Sequence, residues 1–133
     1  MNLFKKGIMF FCIVLFGSIN AFAEQVDLVS AESDFQAFDA DDNGAITFEE
    51  MQVYQQRRFN ELDKDKNGVL DAKELQTDKT NMFKNADTNK DAKVTRQEAK
   101  SQFSQYFSQM DVNKNNTVSR QEFKERWPIV KKF

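Results

Sequence analysis

Residues 63–74 read DKDKNGVLDAKE, setting oxygen-bearing side chains at alternate positions, Asp63, Asp65 and Asn67, before a glycine, and then adding Asp71 and Glu74. The same twelve-residue frame returns as DADDNGAITFEE from Asp39, DTNKDAKVTRQE from Asp87 and DVNKNNTVSRQE from Asp111. The spacing is 24 residues each time, without a slip, the mark of a repeated structural unit. Each block follows an apolar residue, and Phe35, Phe59, Phe83 or Phe107 stands four positions before its first Asp.

These blocks resemble the twelve-residue loop of the EF-hand family, and the resemblance covers nearly all of residues 34–127. In that loop oxygens at positions 1, 3, 5, 7, 9 and 12 surround calcium, position 7 through its backbone carbonyl and position 12 through a bidentate Glu. Calcium is a hard cation that takes six to eight oxygens, so alternating carboxylates and amides suit it better than imidazole or thiolate. The chain has no histidine to point to zinc or nickel.

The resemblance assigns Asp39, Asp41, Asn43, the carbonyl of Ala45, Thr47 and Glu50 to the first loop. In the second it assigns Asp63, Asp65, Asn67, the carbonyl of Val69, Asp71 and Glu74. The third offers Asp87, Asn89, Asp91, the carbonyl of Lys93, Thr95 and Glu98, with Ala92 where the turn normally has glycine, at a strain of roughly 1 kcal/mol or more. The fourth offers Asp111, Asn113, Asn115, the carbonyl of Thr117, Ser119 and Glu122, with Asn116 at the glycine position, which asparagine tolerates better. Three, four, three and two ligand carboxylates in chain order give an expected affinity order of second, first, third, fourth. Extracellular modules of this kind bind with Kd of about 10⁻⁴ to 10⁻³ M. Any one acidic, Asn-rich turn also reads as a solvated loop with a helix-capping Asp or Thr, an alternative that stays open for the fourth block. It does not explain why Ile46, Leu70, Val94 and Val118 all stand at position 8, where such loops pack on a partner loop.

Thr47 with Glu50, Asp71 with Glu74, Thr95 with Glu98 and Ser119 with Glu122 are capping-box pairs, so every loop should end in a helix start. The expected fold is all-α: four tandem EF-hand helix-loop-helix repeats with a 24-residue period. Twelve residues between one loop's Glu and the next loop's Asp allow a helix of about 18 Å, half the usual separation, so neighbouring loops should share a helix. Met51, Tyr54, Phe59 and Leu62 form an apolar stripe there, with Gln55 to Arg58 as the polar side. Loops at opposite ends of a shared helix cannot pair with each other, which suggests first with third and second with fourth. Gln76 to Asn81 is the poorest helix former between loops, and a bend there divides the repeats into about 31–76 and about 79–127. Ala99, Phe103, Tyr106, Phe107 and Met110 mark a strongly apolar helix, Phe123, Trp127 and Ile129 extend its surface, and Pro128 should end the last helix. Those aromatics read as core, with a calcium-opened groove for a partner as the alternative.

The N-terminus reads as an export signal over residues 1–23, with Lys5 and Lys6, nine apolar residues from Ile8 to Phe16, and Ala21-Phe22-Ala23 as the cleavage site. Nine is short of the roughly 20 that a spanning helix needs, so no stable membrane anchor is expected after cleavage. The mature domain is then residues 24–133, periplasmic or secreted. Cys12 lies in the signal without the small residue that would precede a lipid-modified cysteine, which leaves the mature chain without a thiol or disulfide. Cleavage takes the net charge from −2 to −4, which argues against a nucleic-acid surface. The expected partners are calcium ions and, if the protein relays calcium level, an unidentified protein. The expected function is calcium binding by an exported protein, either a calcium-responsive interaction module or a passive buffer or metal-stabilised structural protein. With no histidine, no mature cysteine and no Gly-rich phosphate loop, no enzyme is expected.

Overall fold

Every loop ends where a helix begins because the residue at position 9 is extended and caps the helix that follows. Thr47, Asp71, Thr95 and Ser119 accept hydrogen bonds from backbone N–H groups of the first helical turn, and Glu50, Glu74, Glu98 and Glu122 reach back to the capping backbone. Two of the orphan donors at each helix start are satisfied this way. The computed structural model describes residues 30–83 and 85–132. The expected signal, residues 1–23, and its cleavage point lie outside the described residues.

Five helices are described. The described part of α1 covers residues 30–38. It is followed by α2 (Phe48–Leu62), α3 (Ala72–Leu75), α4 (Arg96–Met110) and α5 (Arg120–Val130). Four short strands, β1 (Ala45–Thr47), β2 (Val69–Leu70), β3 (Val94–Thr95) and β4 (Thr117–Ser119), lie within the loops. The fold is therefore helix-rich rather than purely helical, with two antiparallel two-stranded sheets. The position 8 residues are the paired centres: Ile46 faces Val118 and Leu70 faces Val94, and all four are buried.

That register corrects the expected pairing of first with third and second with fourth: the first loop pairs with the fourth and the second with the third. The cause is the direction of the shared helices. Phe48, at the start of α2, packs edge-on against Phe107 near the end of α4, while Arg96, at the start of α4, bonds Asn60 near the end of α2. The two helices thus run antiparallel, which brings the loops at their opposite ends together. The expected break between loops is present. Helix α3 stops at Leu75, turns follow, and Asn81 takes a left-handed φ of 56°. Asp78, buried there, accepts from the Thr80 backbone and hydroxyl and from the Phe83 backbone, replacing the bonds a continued helix would supply.

The core is a chain of aromatic contacts. Phe38 packs against Tyr54, Phe103, Phe123 and Trp127, and Trp127 stacks on Phe123 and meets Tyr106 edge-on. Met51, Tyr54, Phe59 and Leu62 are buried as the stripe predicts. Gln55, assigned to the polar side, is buried as well, because it lies four residues from both Met51 and Phe59 and so falls on their face. Two expectations at the C-terminus also change. Pro128 lies inside α5 rather than ending it, since it removes only one donor while Val130 beyond it is buried and the Lys131 N–H still reaches the Trp127 carbonyl. Ile129 does not extend the apolar surface and is half exposed, next to the inward-facing Val130. Trp127 Nε1 donates to Asp34 Oδ2 at 2.7 Å, and Glu32 takes ion pairs from Arg120 and Lys124, so α5 is fastened to α1.

Candidate metal centres

Each loop turns on two left-handed residues. Asp42, Lys66, Lys90 and Lys114 stand at position 4 with φ between 55° and 58°, and position 6 holds Gly44 (86°), Gly68 (82°), Ala92 (63°) and Asn116 (66°). The left-handed turn expected at Ala92 is therefore adopted despite its Cβ. Within the turn, the Asn43 and Gly44 amides donate to Asp39, the Gly68 amide to Asp63, the Asp91 and Ala92 amides to Asp87, and the Asn115 and Asn116 amides to Asp111. Position 1 is thus the hub around which each loop closes, and Asp39, Asp63 and Asp111 are buried while Asp87 is half-buried.

Two of the four sets gather their acids tightly. Ligand oxygens of Asp39, Asp41 and Glu50 lie within 4.8 Å of one another, as do those of Asp63, Asp65 and Glu74, and among the described residues these are the clusters of three carboxylates. Asn43 and Asn67 donate their side-chain amides to Asp41 and Asp65 and accept from the backbones of Ala45 and Val69, which turns each Asn oxygen toward the loop. Glu50 and Glu74 fold over the loop entrance, accepting from the Ala40 and Lys64 amides with one oxygen and from Thr47 and Asp71 with the other. Three carboxylates so close repel each other, and a divalent cation is what relieves that cost. One atom states the requirement more sharply: Asp63 Oδ1 is buried without a hydrogen-bond partner, while Oδ2 is held by the Gly68 amide and Arg96. An orphaned, buried carboxylate oxygen beside two other acids fits a hard oxygen-seeking ion, so the donor set suits calcium.

The third and fourth loops keep the framework with fewer acids together. In the third, Asn89 contacts Asp91, the Thr95 hydroxyl and amide hold Glu98, and Thr88 donates to the other Glu98 oxygen. In the fourth, Asn113 and Asn115 occupy positions 3 and 5, and Glu122 accepts from Ser119 and the Asn113 amide. The backbone hydrogen bond from Thr95, against some desolvation and with help from the Thr95 and Thr88 hydroxyls, keeps Glu98 below the usual carboxylate value. Desolvation pushes Glu122 up, but the hydrogen bonds from Ser119 and from the Asn113 and Val112 backbones outweigh it and leave its carboxyl lowered.

Arg96 is the residue that reading the loops singly misses. It occupies position 10 of the third loop and Arg120 the same position of the fourth, where the first two loops carry Phe48 and Ala72. The paired arginines were the available signal, but their acidic targets are remote in sequence, Asp63 of the second loop for Arg96 and Glu32 of α1 for Arg120.

Helices flanking tight loops that converge several oxygens, with loops joined in pairs through two-residue or three-residue strands, define a helix-loop-helix cation-binding protein. A family model for the EF-hand domain pair matches residues 28–127, and the chain belongs to that family, whose membership implies calcium binding. No curated protein matches the chain significantly.

Proposed function

We propose that this chain is an exported calcium-binding protein of the periplasm or extracellular space, built from four tandem EF-hand repeats with a 24-residue period. Residues 1–23 are its signal and residues 24–133 its mature domain. Calcium ligands are Asp39, Asp41, Asn43, Ala45, Thr47 and Glu50; Asp63, Asp65, Asn67, Val69, Asp71 and Glu74; Asp87, Asn89, Asp91, Lys93, Thr95 and Glu98; and Asp111, Asn113, Asn115, Thr117, Ser119 and Glu122, with Ala45, Val69, Lys93 and Thr117 using carbonyls. It binds rather than catalyses. The observation that carries the reading is the pair of carboxylate clusters, with Asp63 Oδ1 buried and unpartnered in the second. Export rests on the charged, apolar and small-residue runs of the N-terminus; no helix among the described residues is long and apolar enough to cross a membrane.

A calcium-responsive partner surface and a passive, metal-stabilised scaffold remain distinct versions of this function. The aromatic side chains from Phe35 to Trp127 are already packed inside, and only Val53, Val112 and Ile129 are large exposed apolar residues among those described. We propose the scaffold, in which calcium clamps this closed core, whereas a sensor would open it on binding calcium. A fluorescent apolar dye tests it. The scaffold predicts little dye binding with calcium present and a large drop in melting temperature on chelation, whereas strong dye binding only with calcium overturns it in favour of the partner surface.

A further inference from the structure

We propose that Arg96 is a charge-balancing residue that lowers the calcium affinity of the second loop with a cation supplied from the third. The inference rests on the calcium reading of that loop. Arg96 opens α4, directly after the cap of the third loop, yet its guanidinium belongs to the second: Nη2 lies 3.3 Å from Asp63 Oδ2 and Nη1 donates to Asn60 Oδ1 at 2.7 Å. The same group sits 4.5 Å above the centre of the Phe59 ring, and its Nε is the nearest atom to where a Cβ on Gly68 would stand. Arg96 therefore roofs the turn of the loop with the most carboxylates, Asp63, Asp65, Asp71 and Glu74.

The fourth loop provides the contrast. Arg120 occupies the equivalent place and covers Phe35, as Arg96 covers Phe59, but its ion pair goes to Glu32 and not to Asp39. One of two matched arginines is thus docked on a loop's first ligand, and the other is diverted by an acid of α1. The second loop has four carboxylates to neutralise and the first three, which matches where the cation is sent.

Two effects of Arg96 oppose each other. As a hydrogen-bond donor it fixes Asp63, which would favour metal; as a cation it repels an arriving dication and competes for the same carboxylate. The charge wins, because Asp63 stays fixed without it. The Gly68 amide holds Oδ2 at 3.0 Å, the Asp63 amide is bonded to the Phe59 carbonyl at 2.9 Å, and the side chain is only 2% exposed. With Arg96 itself half exposed, the repulsion is that of a screened pair, worth about three- to tenfold in affinity at low salt.

The chain carries four glycines, Gly7, Gly17, Gly44 and Gly68, so glycine-labelled NMR reads the first and second loops through the separate amides of Gly44 and Gly68. The full chain is titrated with calcium chloride as the unaltered protein and as Arg96→Gln, Arg96→Lys and Arg120→Gln. In Arg96→Gln the Gly68 midpoint should move to about three- to tenfold lower calcium, with Gly44 unmoved, and the gap should shrink in 1 M salt, where the screening length is about 3 Å. Arg96→Lys should restore the original midpoint and Arg120→Gln should leave Gly68 in place. A Gly68 midpoint in Arg96→Gln that is unchanged or shifted to higher calcium overturns the inference. A Gly68 amide that ignores calcium in the unaltered chain overturns the calcium reading of this loop, and the inference with it.

Discussion

Replacing Ala92 with glycine should stabilise the protein, and the size of the gain follows from one dihedral angle. Ala92 has φ of 63°, in the left-handed region that costs an L-residue about 1–2 kcal/mol. Glycine removes that strain but gives back about 0.4–1 kcal/mol through the greater freedom of the unfolded chain. The net gain is about 0.5–1 kcal/mol. Gly44 is the mirror case. Its φ is 86° and a Cβ there would meet nothing within 4 Å, so Gly44→Ala carries the conformational cost alone and should lose about the same amount. Urea unfolding with a chelator present isolates these terms from metal binding, and the single tryptophan, Trp127, buried among Phe38, Tyr106 and Phe123, reports the core. With a slope of about 1.5 kcal/mol per M, the two midpoints should move by about 0.3–0.7 M in opposite directions. An Ala92→Gly protein no more stable than the original, or a Gly44→Ala protein with no loss, refutes the strain argument.

Phe38 is fully buried and touches four other aromatic rings, so Phe38→Ala should cost about 3–5 kcal/mol, a large share of the roughly 5–15 kcal/mol available to a small domain. Urea unfolding followed by circular dichroism with a chelator present should show that loss; a loss below about 1 kcal/mol would mean the ring cluster is not the core. Glu98 and Glu122 have folded values lowered from the ordinary 4.5, so they contribute stability above that pH which is lost as pH falls through their lower folded values. Melting of the chelated protein should therefore fall progressively below about pH 4.5, and more gently in Glu98→Gln; a melting temperature that rises as pH drops from 5 to 4 contradicts this.

Much of the site is written locally in the sequence, and what is local was readable. Thr47 and Glu50 are three residues apart, as are their three counterparts, and a capping box needs nothing beyond that spacing. Phe35, Phe59 and Phe107, four positions before their loops, are buried because one helical turn places them beside a buried loop start, whereas Phe83 reaches the core from a turn. Ala92 announces its strain by standing where Gly44 and Gly68 stand. What escaped the reading is set at a distance. The pairing of loops depends on α2 and α4 running antiparallel, and the segment between Leu75 and Asp87 shows a break without showing its direction. Gln55 is buried by its helical phase despite its polarity, and Pro128 is carried inside α5 because Val130 finds a place in the core. Arg96 meets Asp63 across the β2–β3 ladder, a contact between residues 33 apart in the chain.

If the aligned oxygens form cages for a hard divalent ion, the number of ions bound reads it out. Native mass spectrometry of the chain in millimolar calcium, alongside Glu50→Gln, Glu74→Gln and the double variant, reads occupancy without reference to fold. Several calcium ions should bind, one fewer in each single variant and two fewer in the double, since each substitution removes the carboxylate proposed as one loop's bidentate ligand. Unchanged stoichiometry in both single variants, or no calcium on the unaltered chain, would contradict the cages.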